Sequence, residues 1–482
     1  MKLYIINHPF HFEAENLCRL FYPEEAVEKC TQDGPCTGRD VWTCAHENGG
    51  QTVYTVRSGG VIRTDSGPVD EDRHESEYRM MALLFDVLCT VSGYHPRWGM
   101  LTGVRPAKLM NRLAEQEGAD AAHTTFINKY RVDPDKAELT ARVAAREREI
   151  ISACGPRSFS FYASVPFCPS RCSYCSFVSH SIATAGKLIG PYVDLMCRET
   201  ALTGEQARAC GLKLESVYIG GGTPTVLTAD QIARVTGAVT AAFGGGIGEF
   251  TFEAGRPDTI TPEKLAAARA GGVNRISINP QTFNDEVLVR IGRKHTSAQT
   301  LEAYRAAVDA GFREINMDLI AGLPGDTPDS FARTVDMAIA LDPANITVHT
   351  LALKRSSSIV ERREDVRAGA MMTDQMLEAA QHRLRAAGYE PYYMYRQSRS
   401  LGNLENVGWS HPGHECAYNV YMMEESHTVL AAGAGSVTKL KDPNSEHLER
   451  IFDYKYPYEY ISRFDEMIGR KDRIIEFCRS YL

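Results

Sequence analysis

A repeated unit of strand followed by helix occupies the middle of the chain and restricts its fold more than any other feature. Six short runs of β-branched and aromatic residues are each followed by glycines or polar residues and then by a helical pattern. The runs are SFYASVPF from Ser160, SVYIGGG from Ser216, EFTFEAG from Glu249, NRISINPQ from Asn274, EINMDLIAGLPG from Glu314 and NITVHTLAL from Asn345. This alternation predicts parallel strands joined by right-handed crossovers. We therefore predict an α/β fold with a partial, open (β/α)6 TIM-like barrel; an eight-unit barrel and a doubly wound sheet are the alternatives.

The two flanking segments carry different patterns. Before the repeat, KLYIINH and TVYTVRSGGVIRT indicate a small antiparallel sheet, and two longer stretches have helical patterns. A Gly-Pro pair after Cys154 marks a boundary, and beyond Glu390 the chain is rich in aromatic and turn residues. We predict an N-terminal α+β domain at 1–155, the (β/α)6 core at 156–390 and a loop-rich C-terminal accessory region at 391–482. This last region is expected to cover the substrate and to end in polar helices from about Asn444 on.

Composition narrows the class of protein. The net charge is −8, whereas proteins whose main partner is nucleic acid usually carry a basic surplus. No apolar run reaches the roughly 18 residues that a membrane span needs, and the N-terminal stretch lacks the apolar core of a signal peptide. We therefore expect a cytoplasmic protein, in which the 13 cysteines are thiols or metal ligands rather than disulfides.

Three of these cysteines, Cys168, Cys172 and Cys175, form the pattern C-x3-C-x2-C directly after the first predicted strand. A structural zinc ion takes four thiolate or imidazole ligands, and His180 is close enough in sequence to complete such a set. Iron–sulfur clusters are also held by thiolates, ordinarily four. Three cysteines on one loop alternatively bind three irons of a 4Fe–4S cube, which leaves the fourth iron open to a small molecule.

Glycines and polar residues follow the other predicted strands. A tight turn or a solvated carboxylate would explain each of them alone, but not their occurrence after successive strands. Because chemistry in βα barrels takes place at the C-terminal ends of the strands, we expect these residues to face one mouth. They are Gly220–Thr223 after strand two, Glu253 at the end of strand three, Gln281 after strand four, Asp318 near the end of strand five and Ala352 by strand six.

These motifs resemble the oxygen-independent coproporphyrinogen III oxidase family of the radical S-adenosylmethionine superfamily. The general likeness lies in Tyr162, PFC, the three cysteines, Tyr174, GGGTPT and MDLIAGLPGDT. The likeness to the branch called HemZ lies in LTGVRPAKL from Leu101, EAGRPDTI from Glu253, SINPQTF from Ser277, LGNLENVGW from Leu401 and AAGAGSVTK from Ala431. Together these motifs span nearly the whole chain and are specific to the branch, whereas the cysteines alone specify only the superfamily.

The resemblance implies a radical S-adenosylmethionine type of barrel and a role for each matching residue. The three cysteines would hold a 4Fe–4S cluster, whose open iron binds the methionine part of S-adenosylmethionine. Tyr162 and Glu253 match positions that contact this nucleotide and are the candidate catalytic residues. Gly221 lets the backbone approach it, since glycine has no Cβ. The positions that match contacts to a second S-adenosylmethionine are Tyr174, Gly222, Thr223, Gln281, Arg293, Asp318 and Ala352.

The reaction implied is the oxidative decarboxylation of coproporphyrinogen III to protoporphyrinogen IX in haem biosynthesis. An electron from a flavodoxin- or ferredoxin-type donor cleaves S-adenosylmethionine to methionine and a 5′-deoxyadenosyl radical, which removes hydrogen from a propionate. Loss of carbon dioxide and one electron then leaves a vinyl group. Because the substrate carries several carboxylates, arginines are expected to bind it, and the candidates are Arg355, Arg396 and Arg399.

Two departures from the classical oxidases leave other functions open. Phe177 stands where those enzymes have a further cysteine, and Ser164 stands where they have a titratable histidine. The alternatives are a haem-binding trafficking protein without turnover and a radical S-adenosylmethionine methyltransferase that acts on a tetrapyrrole. His411, His414 and Cys416 in SHPGHEC are suited to haem iron, although a polar loop also explains them.

Overall fold

The computed structural model describes residues 1–175, 179–352, 366–397 and 400–482. The chain divides into two compact units, one formed by residues 1–141 and 396–404 and the other by residues 142–395 and 405–482. These units do not coincide with the three predicted segments, because residues 405–482 belong to the same unit as the repeated strands. Along the ranges described, no helix combines the length and apolarity that crossing a membrane requires.

The first unit contains a five-stranded sheet and packed helices. Its elements are β1 (Lys2–Ile6), α1 (His11–Phe21), β2 (Glu28–Cys30), β3 (Val41–Asn48), β4 (Gln51–Ser58), β5 (Val61–Pro68), α2 (Arg73–Ser92), α3 (Pro106–Glu117) and α4 (Ala119–Asn128), and α5 (Pro134–Ser152) begins in it. The strand order is β2-β1-β3-β4-β5. The prediction of an antiparallel sheet was wrong for β1, which is parallel to both of its neighbours. The reason is that α1, which the sequence analysis missed, carries the chain back between β1 and β2.

The second unit contains the predicted parallel strands. They are β6 (Ser158–Val165), β9 (Lys213–Gly221), β10 (Glu249–Gly255), β11 (Arg275–Ile278), β12 (Glu314–Ala321) and β13 (Asn345–Thr350), and a separate short pair is formed by β7 (Phe167–Cys168) and β8 (His180–Ser181). The six long strands are neighbours in the order β6-β9-β10-β11-β12-β13, and every pairing among them is parallel. The α/β class and all six predicted strands are therefore confirmed.

Helices connect these strands, as the sequence pattern predicts. They are α6 (Ile182–Ala185), α7 (Ile189–Ala209), α8 (Ala229–Phe243), α9 (Pro262–Ala270), α10 (Asp285–Arg290), α11 (Ser297–Asp309), α12 (Pro328–Ala340) and α13 (Val366–Ala386). Thr228, Thr296 and Thr327 close reciprocal capping boxes at the starts of α8, α11 and α12. These caps satisfy backbone N–H groups that would otherwise lack partners, so the helix starts match the threonines in the sequence.

The parallel strands have one apolar and one polar face. In EFTFE, Phe250 and Phe252 are buried, and on β6 the ring of Phe161 lies 4.7 Å from that of Phe243 in α8. The alternate residues carry polar groups that hydrogen-bond across the strands. These include Ser160 to Ser216, Tyr218 to Glu253, and Asn316 to Ser277 and Thr347, while Asn316 also donates to Asp318 two residues further along the same strand. A TIM barrel usually fills its interior with branched aliphatic side chains, whereas this face is built of hydroxyls, amides and carboxylates.

The C-terminal region extends the same sheet, which differs from the predicted loop-rich cap. Its elements are β14 (Glu390–Arg396), β15 (Glu405–Ser410), α14 (Ala417–Glu424), β16 (Thr428–Ala432), β17 (Val437–Lys441), β18 (Leu448–Phe452), α15 (Pro457–Ser462), α16 (Phe464–Arg470) and α17 (Arg473–Tyr481). β15 pairs antiparallel with β13, and β16 pairs parallel with β6. Asn444 lies in the turn between β17 and β18, so the terminal helices begin later than predicted. The sheet reaches 11 strands.

A buried ion pair joins the C-terminal helices to this sheet. Lys471, between α16 and α17, pairs with Glu199 of α7, and both side chains are almost completely buried. The other carboxylate oxygen of Glu199 accepts hydrogen bonds from the Gly433 N–H at 2.8 Å and the Tyr460 hydroxyl at 2.6 Å. Lys471 also donates to the carbonyl of Ala431 in β16. The loop after β16 is thus held in place from two directions.

Candidate functional site

The three predicted cluster cysteines lie on one loop beyond the end of β6. Cys168 ends β7, and Cys172 and Cys175 are joined by a backbone hydrogen bond from the Cys175 N–H to the Cys172 carbonyl at 3.2 Å. All three thiols are partly exposed. Two donors point at them: the hydroxyl of Thr223 is 3.5 Å from Cys168 Sγ, and Arg256 Nη1 is 3.8 Å from Cys172 Sγ. Donors aimed at sulfur stabilise thiolates, which are the form that binds iron.

Cys416, a thiol in the same unit, has surroundings that do not suit a metal ligand. It is buried and donates a hydrogen bond to a carboxylate oxygen of Glu249 at 3.5 Å. Burial, together with the charge of Glu249, raises the pKa of Cys416 to about 12 and keeps it protonated. The loop cysteines thus have the surroundings of ligands, whereas this one does not. In the described part of the chain, no three His, Cys, Asp or Glu side chains converge on the position of a single metal ion.

The glycines after β9 let the cysteine loop lie directly against the strand ends. The N–H groups of Gly222 and Thr223 donate to the carbonyls of Val165 and Phe167 at 2.8 and 2.7 Å. A Cβ on Gly222 would lie 2.5 Å from the Phe167 carbonyl oxygen. Gly221 has a φ of +107°, in the region that favours glycine. Gly222 is therefore required by its backbone contact with Phe167 of β7, and Gly221 by its positive φ.

Glu253 lies beside these glycines on the polar face. The Tyr218 hydroxyl donates to its carboxylate at 2.5 Å, and a Cβ on Gly220 would lie 3.0 Å from its other oxygen. Burial raises the pKa of Glu253 to about 7, although the hydrogen bond from Tyr218 acts in the opposite direction. A carboxylate in this state gains most from a cationic ligand, because the cation offsets the cost of burying its charge.

Asp318 lies on the same face two strands away, and its pKa is shifted in the opposite direction to that of Glu253. Asn316 Nδ2 donates to its Oδ1 at 2.8 Å, and His349 Nε2 is 3.8 Å from that oxygen. Burial acts to raise the pKa of Asp318, but the contacts with His349, Asn316 and Thr347 hold it below its usual value. Asp318 is therefore an ionised acceptor, suited to hydroxyl groups.

Gln281 is fixed against the same strand through its backbone. Its N–H donates to the Asp318 carbonyl at 2.9 Å, and its carbonyl accepts from Ile320 N–H at 2.9 Å. Its φ is +68°, in the left-handed region that a glutamine rarely adopts. Backbone strain of this kind collects at functional sites, where the surrounding structure holds it.

Tyr174 and Arg293 are brought together, as two of the predicted nucleotide residues. The guanidinium Nη2 of Arg293 donates to the Tyr174 hydroxyl at 2.9 Å, and its Nη1 donates to the Asn279 carbonyl at 3.2 Å. Burial raises the pKa of Tyr174, so its hydroxyl stays protonated. Ala352 follows β13 by two residues and is half-buried. Gly221, Gly222, Thr223 and Glu253 thus lie near or just beyond the C-terminal ends of β9 and β10, whereas Tyr162 and Asp318 lie within β6 and β12 and Arg293 follows α10.

Tyr162 belongs to a stack of tyrosine rings that sequence analysis found only in part. Its ring lies nearly parallel to those of Tyr218 and Tyr418, with both centroid distances at 6.3 Å. Tyr218 and Tyr418 are closer, at 4.6 Å. The polar alternation along β9 was a signal that could have identified Tyr218. Tyr418 comes from α14, far away in sequence, and nothing in the local pattern pointed to it.

Ser164 and the SHPGHEC motif have structural partners. The Ser164 hydroxyl is buried and donates to the Ala434 carbonyl at 2.9 Å.

The residues of the SHPGHEC motif each have a different partner. His411 pairs with Asp342 and His414 with Glu314, at 2.9 and 2.7 Å, while Cys416 faces Glu249 as described above. The structure therefore does not bring His411, His414 and Cys416 together as ligands of one iron.

Of the three candidate substrate arginines, Arg355 and Arg399 lie outside the described residues. Arg396 belongs to the first unit and is 2% exposed. Its guanidinium donates to the carbonyls of Leu101 and Asn403, at 2.7 and 3.0 Å, and lies over the ring of Trp98. These contacts give Arg396 a structural role.

Comparisons with known proteins agree with the arrangement of the second unit. Residues 162–338 match the family model of the radical SAM superfamily. The chain is 36% identical over 391 residues to the oxygen-independent coproporphyrinogen-III oxidase-like protein HemZ of Bacillus subtilis (strain 168), covering 80% of this chain and 78% of that protein. It is also 27% identical over 307 residues to the heme chaperone HemW of the same organism, covering 62% of this chain and 77% of that protein.

The fold is similar to that of a solved structure. The coproporphyrinogen III oxidase HemN from Escherichia coli, a radical SAM enzyme, matches with a TM-score of 0.53 and 24% identity. The match covers 67% of this chain and 73% of that chain. At this level of identity the likeness concerns the fold, and it supports the α/β architecture of the second unit.

Proposed function

Because the chain belongs to the HemN/HemZ-like family of the radical S-adenosylmethionine superfamily, we propose that it oxidatively decarboxylates the propionates of coproporphyrinogen III to vinyl groups, without oxygen, in haem biosynthesis. The observation that carries the proposal is the juxtaposition of Glu253 with the glycines that pack on the cysteine loop. Glu253, whose pKa is raised, lies beside Gly220, and the hydroxyl of Thr223 contacts Cys168 in the cysteine loop. The carboxylate and the thiols are therefore near the same ends of the parallel strands.

In this proposal Cys168, Cys172 and Cys175 hold the 4Fe–4S cluster that the superfamily implies. The partial exposure of the thiols and the donors aimed at two of them fit such a cluster. When bound, the cluster and S-adenosylmethionine supply a 5′-deoxyadenosyl radical that removes a hydrogen atom from the substrate. The chain's own residues bind, orient and shield the reactants.

Glu253 and Asp318 suit different chemical groups of S-adenosylmethionine. The amino or sulfonium group of S-adenosylmethionine is a cation, and it would hold Glu253 in its ionised form. Asp318 already favours ionisation and would accept hydrogen bonds from ribose hydroxyls. Tyr162 supplies an aromatic surface next to Glu253. We further propose that Asp318 acts at a second S-adenosylmethionine site, to which Tyr174, Gly222, Thr223, Gln281, Arg293 and Ala352 also contribute.

The proposal includes a small flavodoxin- or ferredoxin-type protein as the source of the electron. It also includes a cytoplasmic location, because a reducing compartment keeps thiol ligands free to bind iron.

An anaerobic turnover assay tests the function. Reconstituted protein is mixed with dithionite, S-adenosylmethionine and coproporphyrinogen III, and the tetrapyrrole is analysed by mass spectrometry. Loss of carboxyl groups as carbon dioxide supports the proposal, and a gain of methyl groups would replace it by methyl transfer. The Cys175→Ala variant should be inactive. Cys197→Ala is the matched control, since this half-buried thiol lies in α7 and its Sγ contacts the carbonyl of Arg234.

A second candidate function is haem trafficking without turnover. Two observations favour it: the similarity to the heme chaperone HemW, and the buried Ser164 hydroxyl at the position where the resemblance predicts a histidine. In the same assay, an unchanged tetrapyrrole and stable retention of added haem on the protein would support the chaperone and contradict the oxidase.

A further inference from the structure

The proposed function gives no role to Arg256, which lies in the motif EAGRPDTI. Arg256 is 3% exposed. Its Nη1 is 3.8 Å from Cys172 Sγ, and the same nitrogen lies 3.2 Å from the hydroxyl and 3.4 Å from the carbonyl oxygen of Ser170. A single guanidinium nitrogen therefore contacts the cysteine loop at a sulfur and at the residue two positions before it.

The remaining guanidinium nitrogens are held by Asp258. Nε and Nη2 of Arg256 each lie 2.9 Å from one oxygen of the Asp258 carboxylate. Burial acts to raise the pKa of Asp258, but the paired guanidinium holds it below its usual value, so the carboxylate stays ionised. The backbone is fixed as well, because the Arg256 carbonyl accepts the N–H and the hydroxyl of Thr259 at 2.9 and 2.8 Å. A bidentate pair leaves the arginine one orientation, with Nη1 directed at the loop.

Arg256 has a different role from Arg293, the other buried arginine beside the loop. Arg293 donates to the Tyr174 hydroxyl and to the Asn279 carbonyl, at 2.9 and 3.2 Å. Arg256 is the one whose N–H points at a cysteine sulfur. Hydrogen bonds to the sulfurs and nearby positive charge both favour the reduced, more negative state of an iron–sulfur cluster.

We propose that Arg256 is a positioning residue that holds Cys172 in place. By donating a hydrogen bond to the Cys172 sulfur, it raises the reduction potential of the cluster. This inference rests on the proposed cluster site. It adds a residue to that site, and it gives the residue a task in accepting the electron that starts the reaction. The electron enters from the external donor, and Arg256 itself neither gains nor loses one.

The test is a redox titration of anaerobically reconstituted protein followed by electron paramagnetic resonance. For Arg256→Met, we expect the ratio of reduced to oxidised cluster at a fixed potential to fall about tenfold, which for a one-electron couple is a shift of about 59 mV to lower potential. Arg256→Lys retains the charge but not the fork, so its potential should lie between those of Arg256→Met and the wild type. Ser170→Ala removes a partner of the same nitrogen and leaves the sulfur contact, so its potential should stay at the wild-type value.

The outcomes separate this inference from the proposed function. If the wild type takes up no iron–sulfur cluster, the proposed site is wrong and the inference falls with it. If the wild type holds a cluster and Arg256→Met holds the same cluster at an unchanged potential, the inference alone is overturned. Should Arg256→Met lose the cluster, Arg256→Lys decides: a lowered potential supports the inference, and a wild-type potential contradicts it.

Discussion

At the scale of single residues, two carboxylates on one sheet face have opposite charge preferences. Burial raises the pKa of Glu253 to about 7, although the hydrogen bond from the Tyr218 hydroxyl acts to lower it. Asp318 has a pKa below its usual value because histidine and amide donors surround it. Their surroundings differ because the strand register aligns Glu253 with Ser277 and Asn316, whereas Asp318 lies two residues further along β12.

The pKa of Glu253 predicts how nucleotide binding depends on pH. If the ionised carboxylate binds the cationic ligand, S-adenosylmethionine should bind about tenfold more weakly at pH 6 than at pH 8, since the ionised fraction falls about tenfold between them. Isothermal titration calorimetry on the anaerobic protein measures this. The Glu253→Gln variant should bind weakly at both values, and an equally steep pH dependence in that variant would contradict the assignment.

The same raised pKa has a consequence for stability without ligand. Between the usual carboxyl value of 4.5 and the folded value of about 7, the folded protein binds more protons than the unfolded chain. The raised pKa therefore contributes to the free energy of unfolding. This stabilising contribution is fully present below pH 4.5 and is lost as the pH rises through 7. Urea unfolding of the wild type and Glu253→Gln across this range should show the two curves diverging as pH rises, with the wild type losing more.

Because the backbone at Gln281 is strained, we expect a substitution there to change nucleotide affinity without a large change in the free energy of unfolding. Gln281→Gly relieves a left-handed conformation but loosens the unfolded chain, so the free energy of unfolding should change by less than about 1 kcal/mol. Affinity for S-adenosylmethionine should nevertheless fall, because the side chain is lost. Asp342→Gly is the control, since Asp342 also has a positive φ, of 52°, but lies beyond α12. An unchanged affinity in Gln281→Gly would remove this residue from the site.

The sequence was informative about some residues of the site and silent about others. The cysteines, Glu253 and Asp318 stood out because unusual residue types followed predicted strands. Arg256 was contained in a quoted motif, but an arginine alone does not show whether it is buried. Its importance depends on the carboxylate of Asp258 and the sulfur of Cys172, which only the folded backbone brings to it.

At the scale of elements, the backbone that leaves β9 can lie against β7 because Gly222, the residue after β9, has no side chain. Gly222→Ala would place a Cβ 2.5 Å from the Phe167 carbonyl oxygen and 2.8 Å from the Phe167 nitrogen. The two backbones must then separate, at a cost of about 1–3 kcal/mol. We expect a lower melting temperature and less iron bound after reconstitution, because Phe167 precedes Cys168.

The matched control is a glycine with open space around it. Gly237 lies in the middle of α8, and a Cβ there meets no atom within 4 Å. Gly237→Ala should therefore raise stability by about 0.5–1 kcal/mol and leave iron binding unchanged. If both variants behave alike, close packing at Gly222 is not what positions the cysteine loop.

The buried ion pair makes the C-terminal helices part of the second unit. Lys471→Met would leave Glu199 buried without its cation, and breaking such a pair costs about 3–5 kcal/mol. The double variant Lys471→Met with Glu199→Gln should recover much of this loss, because a neutral amide still accepts from Gly433 and Tyr460. Urea denaturation measures both, and a loss below about 1 kcal/mol in the single variant would contradict this account.

The six central strands could be predicted because runs of β-branched and aromatic residues are followed by glycines or polar residues, and because Thr228, Thr296 and Thr327 mark the starts of three of the helices between them. The C-terminal strands could not, because their partners are distant in sequence: β16 pairs with β6, and β15 with β13. The aromatic run that indicated a loop-rich cap forms β14, whose Tyr392 and Tyr393 rings occupy the space left by Gly408. Local patterns do not reveal such non-local pairing.

At the scale of the whole molecule, the chain belongs to a known family, and its candidate site is assembled near the C-terminal ends of its parallel strands. The family follows from similarity across 80% of the chain, whereas the proposed reaction on a tetrapyrrole requires the cysteine loop to hold an iron–sulfur cluster. The polar strand face and the ionised Asp318 suit a nucleotide, and the donors at the sulfurs suit iron.

The most direct test is the metal content and spectrum of anaerobically purified protein. The account predicts about four iron atoms per chain after reconstitution, and an electron paramagnetic resonance signal of the reduced cluster that changes when S-adenosylmethionine is added. Zinc bound at the three cysteines, or an iron–sulfur signal that is the same with and without the nucleotide, would contradict it.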